Sequence, residues 1–445
     1  MKVYIDTLGC AKNEYDSQML AASLIERGCE LTDVPQDADI IIVNTCGFIE
    51  AAKRESIERI LELSDAAGKD ENGKSSKGIK LVVCGCLAEK YHDELVKELP
   101  EVDMFFGVND YDDLPSILME QSSKDGDLVG DGIDDLRYRK RMLPEGAHYG
   151  YLKIAEGCDN ACSFCAIPSI RGPFRSKRIE DCIREAEDMA DAGIRELILI
   201  AQDTSQYGKD LYGEVRLPQL LRELCKIEGI KWIRLLYVYD NGITDELIDV
   251  IKNEDKICNY IDMPIQHISD NVLKSMRRAS RSKTIKATID KLRREIPDVH
   301  IRTTLLVGSP GETQDDIDEL LSFIDEYKID RLGAFAYSDE DGTDAYEMDG
   351  KNSQAVCESR RDAVMERQSL VSSELNETTI GRVFEVIIDE IADENVYTGR
   401  TRYDAPEIDC EVSFVGPDGL LPGDIVKVKI NSAYEYDLEG ELVNE

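Results

Sequence analysis

Between residues 151 and 337 short apolar runs alternate with amphipathic ones, and few folds accept that rhythm. The runs 151–154, 196–201, 231–236, 260–263, 301–307 and 331–337 predict strands, and the stretches 179–192, 217–226, 245–252, 282–295 and 313–327 predict helices between them. Such repetition predicts a parallel sheet covered by helices. About six β/α units are fewer than the eight of a closed barrel, so residues 143–375 are expected to form a partial (β/α)6 TIM-like barrel, open on one side. The first 120 residues carry a smaller version of the pattern, with strands expected at 2–7, 39–45 and 79–83 and helices at 16–27 and 51–63, which predicts an amino-terminal parallel α/β sheet domain (1–120). Residues 121–142, with the polar run Ser122-Ser123-Lys124-Asp125-Gly126-Asp127 and a charged run at 137–141, are expected to be a solvated linker. The tail, 376–445, changes character. Alternating runs at 382–388 and 423–430, a strand–turn–strand at 397–401 and Gly and Pro turns predict a small closed β-barrel.

Cysteines punctuate this scheme at informative places. Cys158, Cys162 and Cys165 are spaced by four and three residues, with Phe164 directly before the last, just past the expected strand 151–154. That is where parallel α/β folds place their active sites. A loop of this spacing can hold three corners of a cubane iron–sulfur cluster and leave the fourth iron open. A structural zinc loop is the competing reading, but such loops favour paired C-x2-C spacings or a nearby histidine, and neither is present. Cys10, Cys46 and Cys86 each follow the end of an expected strand and each adjoins a glycine. The carboxyl ends of parallel strands line one edge of a sheet, so these three are expected to converge on a second metal site. Ordinary burial is the alternative for each taken singly; Cys84, still within its strand, is assigned to the core.

The segment from Cys158 to Cys165 resembles the signature of the radical S-adenosylmethionine (SAM) enzymes. Leu8-Gly9-Cys10-Ala11-Lys12-Asn13, Val43-Asn44-Thr45-Cys46-Gly47-Phe48-Ile49 and Gly85-Cys86-Leu87-Ala88 resemble the amino-terminal motifs of the methylthiotransferases, and the tail resembles a TRAM domain. The likeness covers nearly the whole chain. It implies two [4Fe–4S] clusters, one on Cys158, Cys162 and Cys165 and an auxiliary one on Cys10, Cys46 and Cys86, with SAM as the further cofactor. It also implies a SAM site that includes Phe164, Gln202, Asp203, Thr204 and Arg302, whereas His267 is expected to be structural. Ser309 departs from the family, which usually carries an aromatic at this turn. The implied reaction converts an unactivated C–H bond into C–S–CH3. Such a carbon offers no acid, base or leaving group, so polar catalysis has no foothold and a radical is required. In the family, reductive cleavage of SAM at the first cluster supplies a 5′-deoxyadenosyl radical, the auxiliary cluster holds the sulfur and another SAM gives the methyl group. No side chain is singled out as a catalytic acid, base or nucleophile.

Charge bears on the substrate. Two branches share this architecture: the MiaB type modifies an adenosine in transfer RNA, and the RimO type an aspartate of the small-subunit ribosomal protein numbered twelve. Gly9-Cys10-Ala11-Lys12-Asn13 and Ser169-Ile170-Arg171-Gly172-Pro173-Phe174-Arg175-Ser176 resemble the latter. The net charge is −38, and from Gly381 onward 16 Asp and Glu face 5 Lys and Arg, a poor balance for gripping a phosphate backbone and a good one for a basic protein. A ribosomal-protein substrate is therefore expected, with transfer RNA the alternative and a reductant such as flavodoxin or ferredoxin as electron partner. A two-cluster electron carrier is disfavoured, because it has no use for a SAM pocket. With 13 cysteines, no apolar run of membrane-spanning length and no signal peptide at its start, the chain is expected to be a cytoplasmic enzyme.

Overall fold

The computed structural model describes residues 1–70, 73–119 and 136–443; the polar run 122–127 of the expected linker lies outside them. Two compact units result: 1–143 with 155–160 and 165–181, and 144–154 with 161–164 and 182–445.

The first unit holds a five-stranded parallel sheet of β1 (Lys2–Thr7), β2 (Glu30–Leu31), β3 (Ile40–Thr45), β4 (Lys80–Gly85) and β5 (Met104–Phe106), in the order β2-β1-β3-β4-β5. Every residue of the central strand β3 is buried. Alternate side chains leave a strand on opposite faces, so Ile41 and Val43 join Ile60, Leu63, Leu81 and Val83 on one side. Ile40 and Ile42 join Leu20, Leu24, Val82 and Phe106 on the other. Helices on both faces are what a buried parallel sheet requires. The three long strands match the sequence expectation. β2 and β5, of two and three residues, are too short to show a period.

The second unit begins with a six-stranded sheet: β6 (Tyr149–Lys153), β7 (Glu196–Ile200), β8 (Trp232–Leu235), β9 (Ile257–Asp262), β10 (His300–Val307) and β11 (Arg331–Ala336). Each strand lies beside its sequence neighbour and all pairs are parallel. Helix Gln354–Glu377 was not anticipated. Its buried positions include Gln368, Ser372 and Asn376, and these polar residues mask the 3.6-residue pattern.

The chain then closes a five-stranded barrel from β12 (Val383–Asp393), β13 (Val396–Thr401), β14 (Val412–Val415), β15 (Ile425–Ala433) and β16 (Leu438–Leu442), ordered β12-β13-β14-β16-β15. Val386, Ile388, Tyr397, Val412, Phe414, Val428, Ile430 and Leu438 fill it. The expected strand–turn–strand at 397–401 is instead one strand. A Cβ on Gly399 would sit 2.1 Å from the Ile387 carbonyl oxygen, so this glycine admits the neighbouring strand rather than turning the chain.

Buried charge fastens this barrel to the amino-terminal ends of the parallel strands. Glu196, at the start of β7 and fully buried, accepts from Arg234 Nε and Arg400 Nη1, both at 2.7 Å. Arg400 also donates to Asp389, which His148 Nε2 approaches to 2.7 Å. Arg331 pairs with Asp404 at 2.7 Å, and Tyr260 donates to Asp409 at 2.6 Å. No helix among the described residues is long and apolar enough to cross a membrane.

Candidate functional site

In the first unit, β1, β3 and β4 each end just short of a cysteine. Cys10 caps helix Ala11–Glu26, Cys46 follows Thr45, and Cys86 opens helix Cys86–Glu98. Two glycines let these ends meet. Gly9 has φ +96°, and a Cβ there would lie 2.6 Å from Cys46 Cβ and 3.0 Å from its Sγ. A Cβ on Gly47 would lie 2.8 Å from the Leu87 Cα, one residue past Cys86. The cysteine–glycine adjacency in the sequence is thus the mark of three loops in contact. Cys10 is exposed, while Cys46 and Cys86 are buried.

Polar side chains knit these loops together. Asn13 Nδ2 donates to the carbonyls of Leu8 (2.8 Å) and Thr45 (3.0 Å), tying the first strand end to the second. Asn44 Nδ2 donates to the Asn13 carbonyl, and Tyr111 OH to Asn44 Oδ1 at 2.8 Å. Ser56 Oγ bonds both the amide and the carbonyl of Cys46 at 3.1 Å. Arg171, 2% exposed, reaches in beside Cys86: its Nη2 donates to Cys86 Sγ at 3.2 Å and to Asn13 Oδ1 at 2.8 Å, and its Nη1 to Asp16 at 2.8 Å and Glu156 at 3.0 Å.

Burial raises the Cys46 thiol above its ordinary range and pushes Cys86 up to about 11, with the Arg171 guanidinium pulling Cys86 the other way. A metal centre would replace the proton that burial otherwise retains. As they stand, no three His, Cys, Asp or Glu side chains among the described residues are gathered tightly enough to hold a single metal ion. The donor set suits a cubane better. One ion draws all its ligands into one coordination sphere, whereas a cubane spreads three thiolates over three separate irons.

The second set is local. Cys158 lies in the first unit, where its amide donates to the Gly172 carbonyl at 3.2 Å and its Sγ accepts from the backbone and side-chain amides of Asn160, both at 3.4 Å. Cys162 lies in the second unit, with Arg278 Nη1 at 3.8 Å from its Sγ. Arg278 is 4% exposed, donates to the Pro264 carbonyl at 2.8 Å and stacks 4.2 Å over the Tyr239 ring. Phe164 packs with Tyr337, Ala345 and Cys357. Neither Arg171 nor Arg278 was assigned a role from sequence. Both are buried; in the sequence Arg171 is marked only by the glycine that follows it, and Arg278 by nothing beyond its charge.

Asp203 and Thr204 follow β7. Asp203 accepts from the Ser205 amide at 3.1 Å, and Thr204 Oγ1 donates to the Leu236 carbonyl at 2.9 Å, so both brace the turn in which Gln202 sits. Arg302 lies within β10, where it pairs with Asp262 at 2.9 Å and with Asp409 at 3.4 Å. His267 is fully buried; its Nδ1 accepts from the Ser269 amide at 3.0 Å, and burial lowers its pKa to about 4, leaving a neutral ring. Ser309 is buried in the turn that Glu312 closes by accepting twice from the Gly308 amide.

Residues 2–107 match an uncharacterized protein family, UPF0004; residues 152–324 match the Radical SAM superfamily; residues 380–443 match the TRAM domain. The chain is 45% identical over 451 residues to a protein of Clostridioides difficile (strain 630) named ribosomal protein uS12 methylthiotransferase RimO, an alignment that takes in 100% of this chain and 99% of that one. The protein of the same name from Acetivibrio thermocellus is 44% identical over 454 residues, with the same coverage. Among solved structures, the radical S-adenosylmethionine methyltransferase TsrM of Kitasatospora setae, with tryptophan substrate and a SAM analogue bound, gives a TM-score of 0.60 over 88% of this chain and 79% of its own. At 13% identity, that likeness concerns the fold alone.

Proposed function

The chain belongs to the RimO-type radical SAM methylthiotransferases, and from that premise we propose that it adds a methylthio group to the β-carbon of an aspartate in ribosomal protein uS12. One observation carries the reading beyond radical SAM chemistry in general: the three strand ends bearing Cys10, Cys46 and Cys86 are in contact, with a buried Arg171 bonded to Cys86. Cleaving SAM requires one cluster; a second cysteine set makes sense where sulfur has to be held and delivered. In this reading Cys158, Cys162 and Cys165 would hold the cluster that cleaves SAM, and Cys10, Cys46 and Cys86 the auxiliary cluster. Bound together, these groups and SAM supply the radical and the sulfur that an unactivated C–H bond demands.

The chain's own residues position and enclose. The parallel sheet β6 to β11 is read as a partial (β/α)6 barrel whose open side admits a protein loop. Gln202, Asp203 and Thr204 form the turn at the carboxyl end of β7 on the SAM side, and Phe164 packs the cysteine loop in place. Arg302 holds β9 and β10 in register through Asp262. The three-part division into an amino-terminal sheet domain, a radical SAM domain and a TRAM-like barrel, a cytoplasmic setting and a flavodoxin- or ferredoxin-type reductant complete the proposal.

The surface of the closed barrel supports a protein substrate over a nucleic acid. Over 381–443, 12 Asp and Glu are exposed against 3 Lys and Arg. Such a surface repels phosphates and attracts a basic protein, mainly by steering its approach. A binding titration of the intact enzyme against uS12 and against transfer RNA, at two salt concentrations, tests this. Selective, salt-sensitive binding of uS12 is expected; tighter binding of transfer RNA would overturn the substrate assignment.

A further inference from the structure

Arg171 is a charged residue buried beside Cys86, one of the auxiliary cysteines, and its partners are unusual in number and kind. One nitrogen of its fork donates to Asp16 and Glu156; the other donates to Asn13 and to the Cys86 sulfur. Asp16 and Glu156 are themselves buried, at 1% and 5% exposure. Two buried carboxylates lie beside the buried Cys86, and Arg171 sets a cation between them and the sulfur. Fold economy does not explain the bond to sulfur. The carboxylates alone would satisfy the charge, yet one arm of the fork is spent on Asn13 and Cys86.

We infer that Arg171 is a positioning residue for the auxiliary site: it holds Cys86 toward the auxiliary cluster and sets that cluster's reduction potential by an N–H···S hydrogen bond and a buried positive charge. Hydrogen bonds to ligand sulfurs and the net charge around a cluster are levers on its potential. Reduction adds one negative charge, so a fixed cation bonded to a ligand sulfur stabilises the reduced form and raises the potential. Only a planar fork reaches all four acceptors, which a lysine ammonium on a flexible stem does not match. Glu156 precedes Gly157-Cys158, and the Cys158 amide bonds to the Gly172 carbonyl next to Arg171. The same short segment therefore frames Cys158 and contacts Cys86.

The inference rests on the two-cluster reading, and its test separates the two. The background is the full chain with Cys158, Cys162 and Cys165 all changed to Ala, which carries the auxiliary cluster alone. In it, Arg171 is compared with Arg171→Lys and with the charge-balanced pair Arg171→Gln with Glu156→Gln. The readouts are iron and sulfide per chain, the thermal melt, and the midpoint potential from an anaerobic dithionite titration followed by electron paramagnetic resonance. The charge-balanced pair is expected to shift the midpoint to more negative potential or to lose iron while melting as a folded protein. Arg171→Lys is expected to keep the iron and to restore most of the potential. An unchanged midpoint at full iron in the charge-balanced pair would overturn the inference. If that pair does not fold, Arg171→Gln alone decides: at full iron, a midpoint more negative than the parent's supports the inference and an unchanged midpoint overturns it. A Lys variant that also fails to fold makes Arg171 a structural keystone only and overturns it. A background chain that binds no iron would instead overturn the two-cluster reading itself.

Discussion

Cys158, Cys162 and Cys165 lie within eight residues, whereas Cys10, Cys46 and Cys86 are collected from strand ends 36 and 40 residues apart. The first set depends on one loop. The second depends on the register of β1, β3 and β4 and on glycines that let the loops touch. Damage to the sheet of the first unit should therefore remove the gathered set and spare most of the local one, while loss of a single local thiol should abolish radical chemistry with no effect on the gathered set.

The largest expected effect is the cleanest form of that contrast. Cys162→Ala should abolish 5′-deoxyadenosine release from SAM under anaerobic reduction, while Cys10, Cys46 and Cys86 changed together to Ala should retain it, lose methylthio transfer and bind roughly half the iron. Equal deoxyadenosine yields from Cys162→Ala and the parent would break the contrast. Next, Gly9→Val tests whether the gathered set depends on contact between loops. Its Cβ would collide with Cys46 and its φ of +96° disfavours a branched side chain, so auxiliary iron should fall and deoxyadenosine release persist. Retention of full iron would show that the strand ends have room to spare.

A perturbation confined to the second unit should do the reverse. Arg400→Ala leaves Glu196 with Arg234 alone and Asp389 with His148 alone, a loss below the roughly 3–5 kcal/mol of a fully broken buried pair. A denaturant melt should register that loss with auxiliary iron unchanged. The same network fixes a pH dependence. Burial opposes ionisation, yet Arg234 and Arg400 hold Glu196 below the usual carboxylate range, and Arg331 does the same for Asp404. Each takes up a proton less readily folded than unfolded. Their stabilisation is therefore complete above an unfolded pKa of about 4 and fades as pH falls through the lower folded values. The melting temperature should drop on acidification below about pH 4, and Arg400→Ala should flatten that slope. A slope unaltered by the substitution would remove Glu196 from the account. The smallest effect is expected from Glu435, Asp437 and Glu439 changed to Lys, since exposed charges act over roughly 8 Å in physiological salt. Weaker uS12 binding at low salt that converges with the parent at high salt is the expected outcome; no change at low salt would remove this hairpin from the docking surface.

Much of this was legible in the sequence, for identifiable reasons. Strand–helix alternation gave the parallel strands of both units, because a buried strand such as 40–45 needs an unbroken apolar run. Cysteine–glycine adjacency at strand ends anticipated the convergence, because glycine is what close loop contact requires. What stayed hidden depends on partners far away in the chain. Gly399 reads as a turn until the Ile387 carbonyl is placed beside it. Helix Gln354–Glu377 buries polar residues, so its pattern does not stand out. The pairing of Arg302 with Asp262 and Asp409 is invisible until the strands are placed, and Arg171 reads as one basic residue among several until Cys86 lies at 3.2 Å.

The central claim is that two cysteine sets cooperate to place a methylthio group on a protein. Mass spectrometry of uS12 and of transfer RNA after anaerobic incubation with the reconstituted enzyme, SAM, a sulfur source and a reductant tests it most directly. The account predicts one methylthio group on an aspartate of uS12, none on transfer RNA, and none on either when Cys10, Cys46 and Cys86 are replaced together. Methylthio transfer to transfer RNA, or to uS12 by the enzyme lacking those three cysteines, would contradict it.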